Sequence, residues 1–458
     1  MTIVAGVDSS TQATKIEVRD AETGALVRWG RAPHPETSPP RSEQDPNAWW
    51  TAFERAAEVA GGLDDCAAVS IAAQQHGLVV TDATGTPLRP AKLWNDTESA
   101  PDAAWLLTQL DGGAEGWARA CGSVPVAALT ITKLSWLHRT EPDAFARIER
   151  VMLPHDWLVW KLTGEYSTDR GDASGTGYWS PATGEYRYDL LEIVDAELDW
   201  AGALPPVQDA TEALGTGDNM AAALGLGTIP GDVAISLGTS GTVFAVSETP
   251  TADPTGTVAG FADATGRYLP LVCTLNATKV TDTVARLLGV DHRGLDALAL
   301  AAAPGAGGLT LIPYFDGERT PNRPDARGAL VGLHPDASRE AVARAAYEGV
   351  VCGLLDGLDA LRAVDVPVDG RCFLVGGGAR SAAYRQVVAD LAQRPVTVVD
   401  ADELVALGAC VQAAARATGA AIAEVQAGWN LGRGHEIESS ITATTAEAIR
   451  SAYALARG

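Results

Sequence analysis

The chain has 458 residues, 46% hydrophobic and 20% charged, a globular composition too long for one typical core, so two domains are expected. Its net charge of -24 excludes a nucleic-acid or anionic-membrane partner, because both need a basic footprint. No apolar run reaches membrane-spanning length, and MTIVAGVDSS lacks the basic region and apolar core of a secretory leader, which predicts a cytoplasmic protein.

Residues 3–16 read IVAGVDSSTQATKI, two alternating apolar runs around a tight polar turn, which predicts a β-hairpin. A third strand is expected at Ala25–Gly30, then a Pro- and charge-rich excursion over 31–46. Asp45-Pro46 supplies the cap and first-turn proline of a helix, NAWWTAFERAAEVA. A strand at Ala67–Ala73 leads into Gln74-Gln75-His76-Gly77 and a further strand. Helical segments carry Trp105, Trp117, Trp136 and Trp157 to about Leu162. A Gly- and Asp-rich stretch, Thr168–Gly177, precedes a Pro/Gly-rich connection near 201–217. The domain boundary is expected near residue 216, giving domains 1–216 and 217–458.

The second half restarts at Gly217-Asp218-Asn219, and its hairpin, DVAISLGTSGTVFAV ending at Val246, repeats the pattern of the first. Alternating segments over 257–275, a helix Asn276–Leu288 and a long amphipathic run Ser338–Leu361 follow. Strand Arg371–Val375, Gly376-Gly377-Gly378, a helix from Ser381, strand Pro395–Val399 and helix Leu404–Ala417 come next. Strands alternating with helices give the α/β class. The six cysteines are scattered without a CxxC pair or zinc spacing, as expected of buried thiols in a reducing compartment.

Three groups of residues carry chemistry. Both hairpin turns are crowded with hydroxyls and small residues (Asp8, Ser9, Ser10, Thr11; then Gly238, Thr239, Ser240, Gly241), so that backbone N–H groups and hydroxyls can close on an anion. Gly376-Gly377-Gly378-Ala379-Arg380 joins a strand to a helix, letting backbone approach a flat ligand such as adenine and turning a helix N-terminus toward phosphate. It has neither the Walker spacing nor GxGxxG. Gln75, His76, Trp94, Asn95 and Asp96 form a polar-aromatic set in which an indole packs on a sugar face and the polar groups take its hydroxyls. Between these lies Asp218, which fits a helix N-cap and also a carboxylate poised to accept a proton from a hydroxyl.

These motifs resemble the FGGY family of carbohydrate kinases, within the actin/Hsp70/hexokinase superfamily, over nearly the whole chain. GVDSSTQATK resembles the family's first phosphate loop, SLGTSG its second, GGGARS its adenosine segment and GDN at 217–219 the segment with its catalytic aspartate. Thr130–Leu137 (TITKLSWL) resembles one signature; Gly328–Leu333 with Arg344-Ala345-Ala346-Tyr347-Glu348-Gly349 resembles the other. Segments 42–50 (SEQDPNAWW), 74–77 (QQHG), 93–96 (LWND) and 313–321 (PYFDGERTP) are similar to the branch that acts on D-xylulose. Two positions depart from the pattern: Ser9-Ser10 stand where an x-Gly pair is common, and Gln75 where many of that branch carry Met.

The resemblance implies two duplicated RNase H-like domains of the actin/hexokinase type with an interdomain cleft, closing to exclude water. It implies that Asp218 takes the proton from the 5-hydroxyl of a ketopentose while that oxygen attacks the γ-phosphorus of ATP. Asp8 is then expected to hold Mg²⁺, Thr11, Gly238, Thr239 and Ser240 to cradle the β/γ-phosphates with help from Lys15, and Gly377 and Gly378 to face adenosine. Gln75, His76, Trp94, Asp96 and Asn219 are expected to hold the sugar, and a homodimer is expected from the family. Two alternatives stand beside this: a family member for another polyol (ribulose, gluconate, glycerol), and a nucleotide-driven binding protein of the actin or Hsp70 type. The Gln75/His76/Trp94 set speaks against the second, which needs no small-substrate pocket.

Overall fold

The computed structural model describes residues 1–458. It divides into two units: Met1–Thr228 with Glu248–Leu269 and Glu403–Gly432, and Ile229–Ser247 with Pro270–Asp402 and Arg433–Gly458. The boundary expected near 216 therefore falls inside the first unit, and two later segments return to that unit. The physical reason is packing between helices far apart in sequence. Helix Asp218–Leu226 lies against helix Leu404–Thr418 so closely that a Cβ on Gly408 would sit 1.8 Å from the Ala221 carbonyl oxygen. A Cβ on Gly6 of the sheet would likewise sit 2.1 Å from the Ala406 carbonyl oxygen.

The sheet of the first unit holds β1 (Ile3–Ser9), β2 (Ala13–Asp20), β3 (Leu26–Pro33), β4 (Val69–Ala73) and β5 (Gly215–Gly217), in the order β5-β4-β1-β2-β3. β1 and β2 form the expected antiparallel hairpin, and β4 runs parallel to both β1 and β5. Ser9 and Gly217 both register with Ala73, so the chain leaves these three strands at one edge. On one face, helix Pro46–Val59 starts as expected, with the Asp45 carboxylate accepting the Asn47 N–H at 3.0 Å. It buries Trp49, Phe53 and Ala56 in a core shared with Val7, Ile16 and Trp157. Full burial of each large apolar side chain contributes about 1.5–3 kcal/mol. Small residues (Ala72, Ala221, Ala409) fill the other face, where the two helices approach.

In the second unit, β6 (Val233–Leu237), β7 (Gly241–Ala245), β8 (Tyr268–Thr274), β9 (Cys372–Val375), β10 (Val396–Val399) and β11 (Gly434–Ile437) are ordered β8-β7-β6-β9-β10-β11. β6 and β7 make the second hairpin, β9 is parallel to both β6 and β10, and β11 is antiparallel to β10. Helix Arg339–Ala363, capped by the Ser338 hydroxyl on the Ala341 N–H at 3.2 Å, supplies much of the core beside this sheet. In each unit the first five strands run third-second-first-fourth-fifth, the duplicated RNase H-like pattern. All six cysteines are free; five are buried and Cys66 is half-buried. No single helix is long and apolar enough to cross a membrane.

Candidate active site

Three chain segments leave the same edge of the first sheet, and their side chains converge there. Asp8, at the end of β1, is buried; its Oδ2 lies 3.3 Å from Lys15 Nζ across the hairpin, and its Oδ1 is buried without a hydrogen-bond partner. Lys15 is also 2.6 Å from Glu403 Oε2, at the head of helix Leu404–Thr418. Gln75 and His76 follow β4. Asp218 and Asn219 follow β5, and the Gln75 Oε1 accepts from Asn219 Nδ2 at 2.9 Å. A Cβ on Gly217 would sit 2.6 Å from the Gln75 side chain, so the glycine lets that amide lie against β5. His76, at φ 65°, turns its ring over Gly175 and to 5.3 Å from the Phe261 ring. Thr130, which opens the first signature helix, donates to the His76 carbonyl at 3.2 Å.

Asp218 is the first residue of its helix, and the cap position belongs to Gly217, which corrects the N-cap reading. Its carboxylate accepts from the Asn219 N–H at 2.8 Å and from Asn219 Nδ2 at 3.0 Å. Burial first, then the negative charges of Asp8 and Asp172, push its pKa up to about 7. Burial likewise raises Asp8 to about 6 against the pull of Lys15. These are carboxyls whose affinity for a proton suits proton transfer near neutral pH.

Behind Gln75 lies a wholly buried acidic cluster from the Gly- and Asp-rich stretch. His155 Nδ1 is 2.7 Å from Asp172 Oδ2 and 3.3 Å from Asp156 Oδ1, while Asp169 accepts from Thr216 at 2.7 Å. Burial opposes a charge on His155, but Asp156, Asp172 and Asp169 overcome it and raise its pKa to about 9.

The second unit presents different chemistry at its corresponding edge. The turn Gly238-Thr239-Ser240 follows β6, and Gly376-Gly377-Gly378 follows its parallel neighbour β9. Gly376 has φ 84° and abuts the Leu237 backbone; a Cβ on Gly377 would meet nothing within 4 Å. Helix Ala382–Ala392 beyond it is capped internally. Ser381 accepts the Tyr384 N–H and Asp296 accepts the Ala382 N–H, at 3.1 and 3.0 Å. That helix end is already filled, which corrects the expectation that it faces phosphate. Glu318, from the PYFDGERTP segment, accepts from the Leu275 N–H and from Asn276, bracing the loop after β8.

The N-terminal domain of the FGGY family of carbohydrate kinases matches residues 3–246, and its C-terminal domain residues 233–417. The chain belongs to this family. A xylulose kinase of Streptomyces coelicolor is 47% identical, over 95% of this chain and 92% of that protein. One of Streptomyces rubiginosus is 48% identical with the same coverage. A crystal structure of xylulose kinase from Bifidobacterium adolescentis, 43% identical, superposes with a TM-score of 0.88 over 100% of this chain and 99% of that one. The fold is thus the two-domain α/β kinase fold of the actin/hexokinase type, and the chain is a carbohydrate kinase rather than a nucleotide-driven binding protein.

The structure redistributes several expected roles in this FGGY kinase. Asp96 is buried completely. Its oxygens take Lys92 Nζ at 3.0 Å, the Ser42 N–H at 2.9 Å and the Glu98 N–H at 3.0 Å, so it anchors the loop bearing Trp94 rather than offering itself to a sugar. Glu43, Asp96 and Glu98 cluster with the spacing of metal ligands, but Lys92 Nζ stands among them and pairs with all three, at 3.2, 3.0 and 2.6 Å. The Thr11 hydroxyl accepts from Trp94 Nε1 and donates to Gln74 Oε1, both at 3.0 Å, tethering the first hairpin turn to the loops that carry Trp94 and Gln74. The Ser10 hydroxyl donates to the Ala13 carbonyl at 3.0 Å, and neither Ser9 nor Ser10 has positive φ, so the departure from x-Gly strains nothing. Sequence reasoning passed over Gln44, which holds the Thr11 carbonyl at 3.0 Å, and Glu403, His155 and Asp172. For Gln44 the signal was present: it lies inside SEQDPNAWW, with its Oε1 on Trp49 at 2.7 Å.

Proposed function

We propose that this FGGY kinase transfers the γ-phosphoryl group of MgATP to the 5-hydroxyl of D-xylulose in the cytoplasm. One observation carries the reading most: Asp218, with a pKa raised to about 7, stands beside Asn219, Gln75 and His76 in a chain 47–48% identical to proteins named xylulose kinase. Asp218 accepts the hydroxyl proton as the oxygen moves in line toward phosphorus. Phosphoryl transfer passes through a loose transition state, so orientation and charge neutralisation outweigh basicity. His76, Gln75, Asn219 and Trp94 hold the sugar. Gly238, Thr239 and Ser240 take phosphate oxygens together with Lys15, while Gly377 and Gly378 face adenosine.

Asp8 suits Mg²⁺: its Oδ1 is a buried hard oxygen with no hydrogen-bond partner. The bound ion supplies charge neutralisation to the phosphate oxygens. The test is ADP release with MgATP against D-xylulose, D- and L-ribulose, L-xylulose, gluconate, glycerol and water. A large rate with D-xylulose alone supports the reading. Preference for another polyol keeps the kinase and overturns the sugar.

A further inference from the structure

Of the four segments similar to the branch that acts on D-xylulose, three lie in the first unit with the residues assigned to the sugar. The fourth, 313–321, lies in the second unit. Its Glu318 is buried, and donors surround the carboxylate. Oε1 accepts the Leu275 N–H at 2.6 Å and the Arg319 N–H at 2.8 Å, and Oε2 accepts from Asn276 Nδ2 at 2.8 Å. Asn276, also buried, gives the same Nδ2 to the Gly317 carbonyl at 2.6 Å. The next two residues reach the Gly238-Thr239-Ser240 turn. The Ala277 N–H donates to the Thr239 carbonyl at 3.2 Å, and the Thr278 N–H, opening helix Thr278–Leu288, donates to the Gly238 carbonyl at 3.0 Å.

We propose that Glu318 is a positioning residue of this turn: through Leu275 and Asn276 it fixes residues 275–278, whose N–H groups draw two carbonyls of the turn inward. This role rests on the assignment of the turn to the β/γ-phosphates. In a trans peptide the C=O and the following N–H point opposite ways. With the Gly238 and Thr239 carbonyls drawn to the helix start, the N–H groups of Thr239 and Ser240 face away from it. That outer side is open, for Thr239 is exposed and Gly238 and Ser240 are half-buried. Two acceptors that would repel a phosphate are withdrawn, and two donors that attract one are presented. A turn of small residues keeps this orientation only on a rigid support. A buried carboxylate with three donors is such a support, because charge-assisted hydrogen bonds are about twice as strong as neutral ones. A segment that reads as a sugar motif thus acts on the nucleotide side.

Glu318→Gln keeps the shape and spoils one contact. Its single oxygen can retain the Leu275 and Arg319 N–H groups, which sets its NH₂ against Asn276 Nδ2. Turning the Asn276 amide over relieves that clash only by setting its Oδ1 against the Gly317 carbonyl. The affinity for MgADP, measured by binding titration, is expected to fall about tenfold. The affinity for AMP, which lacks the β-phosphate, and the sugar KM should stay within about twofold. Asn276→Ala removes the same link from its other end and is expected to give the same selective loss, which keeps the test decisive should Glu318→Gln fail to fold. Thr320→Val is the control. It deletes a hydrogen bond of 2.9 Å from the same segment to the Cys273 carbonyl, and should lower the melting temperature while sparing MgADP. Equal losses for MgADP and AMP, an unaltered MgADP affinity in both variants, or as large a loss in Thr320→Val would overturn the proposal. The phosphate assignment is judged separately by Thr239→Val combined with Ser240→Ala. If that pair leaves MgADP affinity unaltered, the assignment has failed; if it lowers the affinity and Glu318→Gln does not, only the role of Glu318 has failed.

Discussion

The two sheets share one strand order, yet they present opposite chemistry at the same edge. In the first unit the parallel strands β1, β4 and β5 deliver Asp8, Gln75, His76 and Asp218, with Asp172 buried behind them. In the second, β6 and β9 deliver Gly238-Thr239-Ser240 and three consecutive glycines, with no carboxylate in either loop. The difference follows from what each edge can hold. Buried carboxyls with raised pKa values can take a proton or a cation, whereas small neutral loops offer backbone N–H groups and hydroxyls to an anion without repelling it. A duplicated scaffold thus sets buried carboxyls at the edge of one sheet and small neutral loops at the corresponding edge of the other.

The sharpest way to break this contrast is Asp218→Asn. It is expected to lower kcat about a thousandfold while nucleotide affinity, measured by titration, stays within about twofold. Sugar-dependent turnover near wild type would remove Asp218 as the base. In the wild type, Asp218 titrates near 7 and acts only when ionised, so kcat/KM for the sugar should fall as pH drops below about 7. A limb at an ordinary carboxylate pH would separate that residue from the rate.

Asp96→Asn sharpens the contrast from inside the first unit. The buried pair with Lys92 is broken, so denaturant unfolding should show a loss of about 3 kcal/mol, with a smaller change in the sugar KM than Gln75→Ala produces. A large sugar effect without loss of stability would return Asp96 to the binding set. In the second unit, Gly377→Val places its side chain where no protein atom lies. It should raise the ATP KM about tenfold, as obstruction of a close approach does, and leave the sugar KM and the melting temperature unchanged. A changed sugar KM would blur the division between the units.

The smallest effect concerns stability. The His155 pKa is raised from 6.5 to about 9 in the folded protein, so the stabilisation from its charge is full below 6.5 and disappears as pH rises through about 9. The melting temperature should decline by roughly a few degrees over that window, and His155→Gln should flatten the decline. An unchanged slope would assign it to other groups.

Much of this was legible along the chain. Both hairpins, the Asp45-Pro46 helix start, the long helix over the run from Ser338 and the glycine turn after β9 follow from alternation, periodicity and local capping, which depend on neighbours in sequence. The positions of Gln75 and His76 were legible too, because a motif after a strand lies at an edge whatever surrounds it; Asp218 was expected after a Pro/Gly-rich connection, and the short strand before it exists only through its pairing with β4. Three things depended on partners distant in sequence. Helix Leu404–Thr418 joins the first unit through close approaches that small residues permit, Gly408 to the Ala221 carbonyl and Gly6 to the Ala406 carbonyl. Asp96 looks like a sugar ligand until Lys92 and the Ser42 N–H fill its oxygens. Asp172 has no local motif; its partner, His155 at 2.7 Å, comes from a separate helix. A carboxylate's task is set by the groups that desolvate, pair with or orient it, and those arrive through the fold.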